Sequence, residues 1–126
     1  MKILILGSSG LLGSEVKKVF SEEELILTDE TDLDITDENK VIGYIQEQKP
    51  AVIINCAAYT NVDGCEKDEN KDIAFKVNGW GPGYIAKGAD LIGAKLVHIS
   101  TDYVFNGNKE EPYETDDVVD PVNVYG

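Results

Sequence analysis

Positive charge is scarce in this sequence: eleven basic residues face 24 acidic ones across 126 positions, a formal net charge of -13. That balance repels nucleic-acid backbones and anionic membrane surfaces unless a local basic patch intervenes, and no such patch is present. Metal ligands are scarce too. The one histidine, His98, lies far along the chain from Cys56 and Cys65, and the two cysteines are not at a metal-ligand spacing, so no metal site is expected. The cysteines read as reduced thiols, Cys56 at a strand end and Cys65 on a helix, and His98 as a satisfied packing residue rather than a catalyst. No apolar run approaches the length needed to span a bilayer. Met1 leads straight into an apolar strand pattern with no room for a signal peptide, so a cytoplasmic soluble domain is expected. The length fits one domain with a modest core, and the hydrophobic content of 42% is ordinary for a globular protein.

The most informative segment opens the chain. Lys2 to Leu6 is too short for a typical helix and is apolar throughout in its last four residues, the character of a strand buried on both faces. It runs into Gly7-Ser8-Ser9-Gly10-Leu11-Leu12-Gly13. Gly7 suits a tight turn, Gly10 a close approach of backbone N–H groups to a pyrophosphate, and Gly13 close packing of the next helix on the strand. A helix starting near Leu11 would aim its positive end at the phosphates. The spacing is G-x-x-G-x-x-G rather than G-x-G-x-x-G, so context decides. A dinucleotide site wants an acid roughly 20 residues on, at the end of the second strand, and Asp29 follows Leu25-Ile26-Leu27-Thr28 there.

Further along, Thr31 to Asp37 reads as a short strand and a helix N-cap. The helix from about Asp37 to Gln48 places Val41, Ile42 and Ile45 on one face and stops at Pro50. Ala51 to Asn55 supplies a fourth strand and Lys95 to Ser100 a fifth. Between them Asp63 and Glu66 resemble a capping box, opening a helical stretch through Ile73, Ala74 and Val77. Asn78-Gly79-Trp80-Gly81-Pro82-Gly83 interrupts that stretch, as a kink that frees the Asn78 carbonyl or as a loop between two helices. Alternating strands and helices predict an α/β fold, a Rossmann-like doubly wound parallel sheet of about five strands. Gly7, Asp29, Asn55 and Ser100 would then meet at the carboxyl ends of the strands.

Four segments together, Gly7 to Gly13, Asn55 to Asp63, Ser100 to Phe105 and Asn123 to Gly126, resemble the extended short-chain dehydrogenase/reductase superfamily. Within it they are most similar to the dTDP-4-dehydrorhamnose reductases. The resemblance covers essentially the whole chain, and Ser100-Thr101-Asp102-Tyr103-Val104-Phe105 followed by Pro121-x-Asn123-x-Tyr125-Gly126 is its most specific part. It implies that Tyr125 donates a proton to the C4 alkoxide of the sugar while Thr101 hydrogen-bonds the same oxygen. It implies cofactor contacts from Gly7, Ser9, Gly10, Leu11, Leu12, Gly13 and Asp29, with Asp34 and Ile35 at the adenine. Ala57, Ala58 and Tyr59 would run beside the ribose and nicotinamide, and Asn78 would hold a water in the proton relay. Asp102, Tyr103 and Phe105 would face a dTDP-sugar substrate.

In the family a lysine four residues after the tyrosine lowers the tyrosine pKa, which here would be position 129. The chain therefore reads as residues 1–126 of an NAD(P)-binding Rossmann domain, the amino-terminal part of a longer enzyme whose substrate domain lies elsewhere, and as inactive alone. The glycine-proline run around Trp80 departs from the family pattern. An epimerase or dehydratase of the same superfamily, using tightly held NAD, and a non-catalytic binding fragment are the competing readings. Asp29, Glu30 and Asp32, with no base at Ser8-Ser9, favour NAD(H) over NADP(H), although relatives accept both. The incomplete sheet implies exposed edges and self-association into a homo-oligomer.

Overall fold

Ile3, Leu4, Ile5 and Leu6 are each no more than 1% exposed, which a strand achieves only when both of its faces and both of its edges are covered. The computed structural model, which describes residues 1–126, shows how. Strands β1 (Lys2–Leu6), β2 (Glu24–Thr28), β3 (Val52–Asn55) and β4 (Lys95–His98) form one parallel sheet in the order β2-β1-β3-β4. β1 is flanked by β2 and β3, so the chain leaves it toward opposite sides, and the strand order reverses between β1 and β3. That reversal opens a crevice at the carboxyl ends of these strands.

One sheet face carries Leu4, Leu6 and Ile53 against helices α2 (Glu38–Gln48) and α5 (Gly81–Ile92), where Val41, Ile45, Ile85 and Ala89 complete the larger core. Each fully buried aliphatic side chain there stabilises the fold by about 1.5–3 kcal/mol. The other face carries Ile3, Ile5 and Ile54 against Val16 and Phe20, at the end of helix α1 (Leu11–Val19). Beyond α1 this face is bare at β4 and just after it, where Val97 is 38% and Ile99 46% exposed.

The sheet has four strands, not five. Residues expected to form a strand after Asp29 instead satisfy their backbone locally. Asp32 and Leu33 N–H donate to the Asp29 carbonyl, Asp29 N–H donates to Asp32 Oδ2, and Thr36 N–H donates to Asp34 Oδ1. Short acidic side chains that capture nearby N–H groups favour turns over ladders. β4 also ends at His98 rather than Ser100. The α2 start is as expected, with Asp37 Oδ1 accepting from Lys40 N–H at 3.1 Å.

The Asp63/Glu66 capping box is not formed. Asn61 caps the short helix α3 (Val62–Cys65), its Oδ1 accepting from Gly64 N–H at 2.9 Å. Helix α4 (Asp68–Ala74) then continues through a π-helical turn, Phe75–Trp80, directly into α5. The glycine-proline run is thus a widened turn within one helix and not a loop. Pro82, lacking an N–H, opens α5 and cannot donate to the Asn78 carbonyl four residues back, and the widened turn falls where that bond is missing.

Candidate functional site

The turn after β1 is set by its glycines. Gly7 has φ +71°, and a Cβ there would fall 2.8 Å from the Ala57 backbone at the end of β3. A Cβ at Gly13 would fall 2.1 Å from the Gly7 carbonyl oxygen, so α1 can rest on the turn only without a side chain at that point. Gly10 differs. It has an ordinary φ of -65°, and a Cβ there would meet only the Gly7 carbonyl, at 3.4 Å. Its bareness answers to no neighbour in the protein and keeps space open in front of the helix.

The N–H groups of Leu11, Leu12 and Gly13 donate to no acceptor in the chain, and Gly10 supplies no side-chain cap. No acid stands in the first turn of α1, while Lys17 and Lys18 occupy its last turn. Three free amides at the positive end of a nine-residue helix, with empty space before them, fit a phosphate group. Leu11, 97% exposed, is an apolar side chain with no partner within the chain.

Two connected hollows flank this point. The larger, about 910 Å³, is lined by Gly7, Ser9, Gly10, Asp29, Asp34, Ile35, Ala57, Ala58 and Tyr59, among others. The smaller, about 460 Å³, is lined by Gly10, Leu11, Leu12, Asn55, Asn78, His98, Ser100, Thr101 and Tyr125, among others. They share Gly10, Cys56, Ala57 and Ala58. The expected convergence of Gly7, Asp29, Asn55 and Ser100 is therefore present, divided between the two halves. A two-nucleotide ligand lying across the shared ridge, its pyrophosphate at α1, matches the shape.

Several of these residues also make contacts within the chain. Both Asp29 oxygens already hold the glycine turn, Oδ1 accepting from Ser9 N–H at 3.0 Å and Oδ2 from the Ser8 hydroxyl at 3.1 Å. The Ser9 N–H bond, with the Ser9 and Ser8 side chains and Lys17 behind it, holds this carboxyl below its ordinary pKa. Asp34 is likewise held low by the Thr36 hydroxyl and N–H, which both bond Oδ1. Ile35 reaches the wall of the larger hollow but is 7% exposed and packs on Gly81, so most of its side chain belongs to the core.

Asn78 acts through its side chain. Its Oδ1 accepts from Tyr59 N–H and its Nδ2 donates to the Tyr59 carbonyl, both at 2.8 Å, a two-point clamp from the π-helical turn onto the strand-end segment. Asn55, 1% exposed, performs a similar task one step earlier. Its Oδ1 accepts from Ala57 N–H at 3.1 Å, so its Nδ2 must be the donor toward His98 Nδ1 at 3.1 Å, leaving the imidazole proton on Nε2. His98 is thus satisfied as expected but lies exposed on an edge strand rather than packed. Partial desolvation pulls its pKa below the ordinary value. Burial pushes the Cys56 and Cys65 thiols up, consistent with inert free cysteines.

Thr101 and Tyr125 both lie on the wall of the smaller hollow. Thr101 Oγ1 accepts from Tyr103 N–H at 3.2 Å and lies 3.4 Å from Asp102 Oδ1. Asp102, Tyr103 and Phe105 do not line it. Phe105 stacks on Tyr113 with ring centroids 4.0 Å apart, and Tyr103 meets Tyr125 edge-to-face at 5.6 Å.

Residues 1–126 match the family described as RmlD substrate binding domain. The chain belongs to that family. It is 40% identical over 127 residues to the spore coat polysaccharide biosynthesis protein SpsK of Bacillus subtilis, covering 99% of this chain and 44% of that protein. The crystal structure of a dTDP-4-dehydrorhamnose reductase from Clostridium acetobutylicum superposes with a TM-score of 0.95 at 48% identity, over 100% of this chain and 45% of that one. That of the Bacillus anthracis dTDP-4-dehydrorhamnose reductase in complex with NADP gives 0.93 at 39% identity, over 99% and 45%. The chain thus spans under half the length of the relatives it matches. In this RmlD-family chain, sequence reasoning missed the linking roles of Asn55, His98 and Glu66. Only the position of Asn55 at a strand end hinted at one of them.

Proposed function

We propose that these residues are the cofactor-binding part of an NAD(P)H-dependent dTDP-4-dehydrorhamnose reductase, acting on the C4 ketone of dTDP-4-dehydro-L-rhamnose in dTDP-L-rhamnose synthesis. The observation that carries this is that Leu11 and Leu12, whose amides at the start of α1 are free, line the same hollow as Thr101 and Tyr125. The names of the relatives support the substrate, and the Thr101-Asp102-Tyr103 wording favours a reductase over an epimerase or dehydratase. A reduced nicotinamide, when bound, supplies the hydride. The chain's own residues then manage the oxygen: Thr101 turns its hydroxyl proton from the long Asp102 contact to the ketone, and Tyr125 gives its phenolic proton to the developing alkoxide.

NADH is the preferred cofactor in this reading. Asp29 is ionised, Glu30 follows it, and the larger hollow has no basic residue on its wall, so a 2'-phosphate meets only negative charge. The work is cytoplasmic, and the exposed β4 edge supports self-association. The test is Tyr125→Phe in the full-length protein: turnover with NADH and the sugar nucleotide should fall about 10²–10⁴-fold, with cofactor affinity unchanged. An unimpaired mutant overturns the assignment. A polypeptide ending at Gly126, without the family's lysine, should give no turnover.

A further inference from the structure

We infer that Glu66 is a positioning residue for Tyr125, tying the segment that carries the phenol to the edge of the cofactor crevice; this rests on the proposed role of Tyr125 as proton donor. Residues 106–126 form no helix or strand, and side-chain and loop hydrogen bonds hold them. Asp120 is anchored twice, its N–H donating to the Val104 carbonyl at 2.9 Å and its Oδ2 accepting from Asn106 Nδ2 at 2.9 Å. Past Asp120 only two hydrogen bonds remain. Gly126 N–H donates to Asn123 Oδ1 at 2.8 Å, which shapes the turn but ties it to nothing else. Val124 N–H donates to Glu66 Oε1 at 2.8 Å, across 58 positions of sequence, and joins residues 121–126 to the turn after α3.

The geometry suits positioning. The bonded amide belongs to the residue immediately before Tyr125, so the restraint acts one peptide from the phenol-bearing backbone. On the other side Gly126 is pressed so closely on the Tyr103 carbonyl that a Cβ would stand 2.1 Å from its oxygen, and the Tyr103 ring meets that of Tyr125. These contacts limit how near the segment comes, while Glu66 pulls it in. Glu66 can do so because Asn61 and the α3 turn fix its backbone, its own N–H donating to the Asp63 carbonyl at 3.3 Å. A carboxylate acceptor makes the bond charge-assisted and stronger than a neutral one. The glutamate that resembles half of a capping box is thus committed to a distant amide instead.

The test uses the full-length protein and three variants, Glu66→Ala, Glu66→Gln and Tyr125→Phe, with kcat, NADH affinity and Val124 amide exchange measured for each. Displacing a reacting group by a fraction of an ångström to an ångström costs up to about a hundredfold. Glu66→Ala should therefore lower kcat by about ten- to a hundredfold and speed Val124 exchange, with NADH affinity within about twofold of wild type. Glu66→Gln, which keeps an acceptor oxygen, should restore both to within about threefold. Unchanged Val124 exchange in Glu66→Ala, or faster exchange with undiminished kcat, overturns the inference while leaving an impaired Tyr125→Phe to uphold the reductase reading. An unimpaired Tyr125→Phe brings down both. Failure of Gln to rescue also overturns it, because a bond to Val124 needs only the acceptor.

Discussion

Gly10 and Gly13 stand three residues apart in one motif, yet the structure gives them different reasons to lack a side chain, and alanine substitution separates them. At Gly13 the added Cβ would lie 2.1 Å from the Gly7 oxygen, 2.8 Å from Ser8 Cα and 2.9 Å from the Gly7 carbonyl carbon. All three are backbone atoms of the turn, so relief requires α1 to lift from β1. Forced overpacking costs about 1–3 kcal/mol, and rigid backbone neighbours put this case at the upper end, near 3 kcal/mol. At Gly10 the backbone already has an ordinary φ and the new methyl touches one atom at normal contact distance, so the loss is confined to glycine's advantage over alanine at an N-cap, about 0.5–1 kcal/mol. The methyl instead fills space before the free amides of Leu11, Leu12 and Gly13. A hydrogen bond to a charged group contributes about 1.5–3 kcal/mol, so weakening even one lowers cofactor affinity by about tenfold or more. Urea unfolding and NADH titration of both variants in the full-length protein check this. The reasoning fails if Gly10→Ala loses as much stability as Gly13→Ala, or if it binds NADH as wild type does.

At matched salt the protein should bind NADH more tightly than NADPH, and Asp29→Asn should narrow the gap while weakening NADH binding, since the amide carries no charge to repel a 2'-phosphate and turns two charge-assisted bonds, to Ser8 and Ser9, into neutral ones. Equal binding of the two cofactors by wild type would remove the charge argument. His98 should make stability depend on pH near neutrality. Its folded pKa lies below the ordinary value of about 6.5, so the unfolded chain binds the extra proton first. The neutral ring's contribution is therefore present above about pH 6.5 and lost as pH falls through the folded pKa, where protonated Nδ1 can no longer accept from Asn55. Urea unfolding at pH 5 and 7.5 should show a fall toward acid that shrinks in His98→Gln; an identical fall in that variant would place the effect elsewhere.

Much of the fold is legible in the sequence because it rests on local signals. A run of four apolar residues before a glycine turn marks β1, Asp37 announces α2, and Pro50 ends it. The same logic fails at Thr31 to Asp37. There the alternation of Leu33 and Ile35 suggests a strand, and both do reach the core, at 5% and 7% exposure. What the alternation does not weigh is the competition for backbone N–H groups from Asp32 and Asp34, which close turns before a ladder can form. At Asn78 to Gly83 the residues are correctly suspect, but a widened helical turn and a loop differ only in whether packing on the sheet holds the helix together through them.

The site is legible in outline and not in its wiring, and the reason lies in how its polar residues are used. Motif positions name the residues around a ligand, so Gly10, Thr101 and Tyr125 fall on the walls of the expected hollows. The residues that hold those walls in place act mostly across separations set by tertiary structure: Asp29 on Ser9 N–H, Asn78 on the Tyr59 backbone, Glu66 on Val124 N–H, and Asn55 on the His98 ring as well as on the nearby Ala57 N–H. No periodicity or short spacing encodes the distant pairs. A buried or cleft-side amide or carboxylate leaves its partner uncompensated if removed, so these residues are as constrained as the ones that would touch the ligand. For Asp29 the two demands coincide. Its carboxylate shapes the turn that presents the amides of α1 and sets the charge on the wall of the larger hollow, so changing it alters affinity and cofactor preference together.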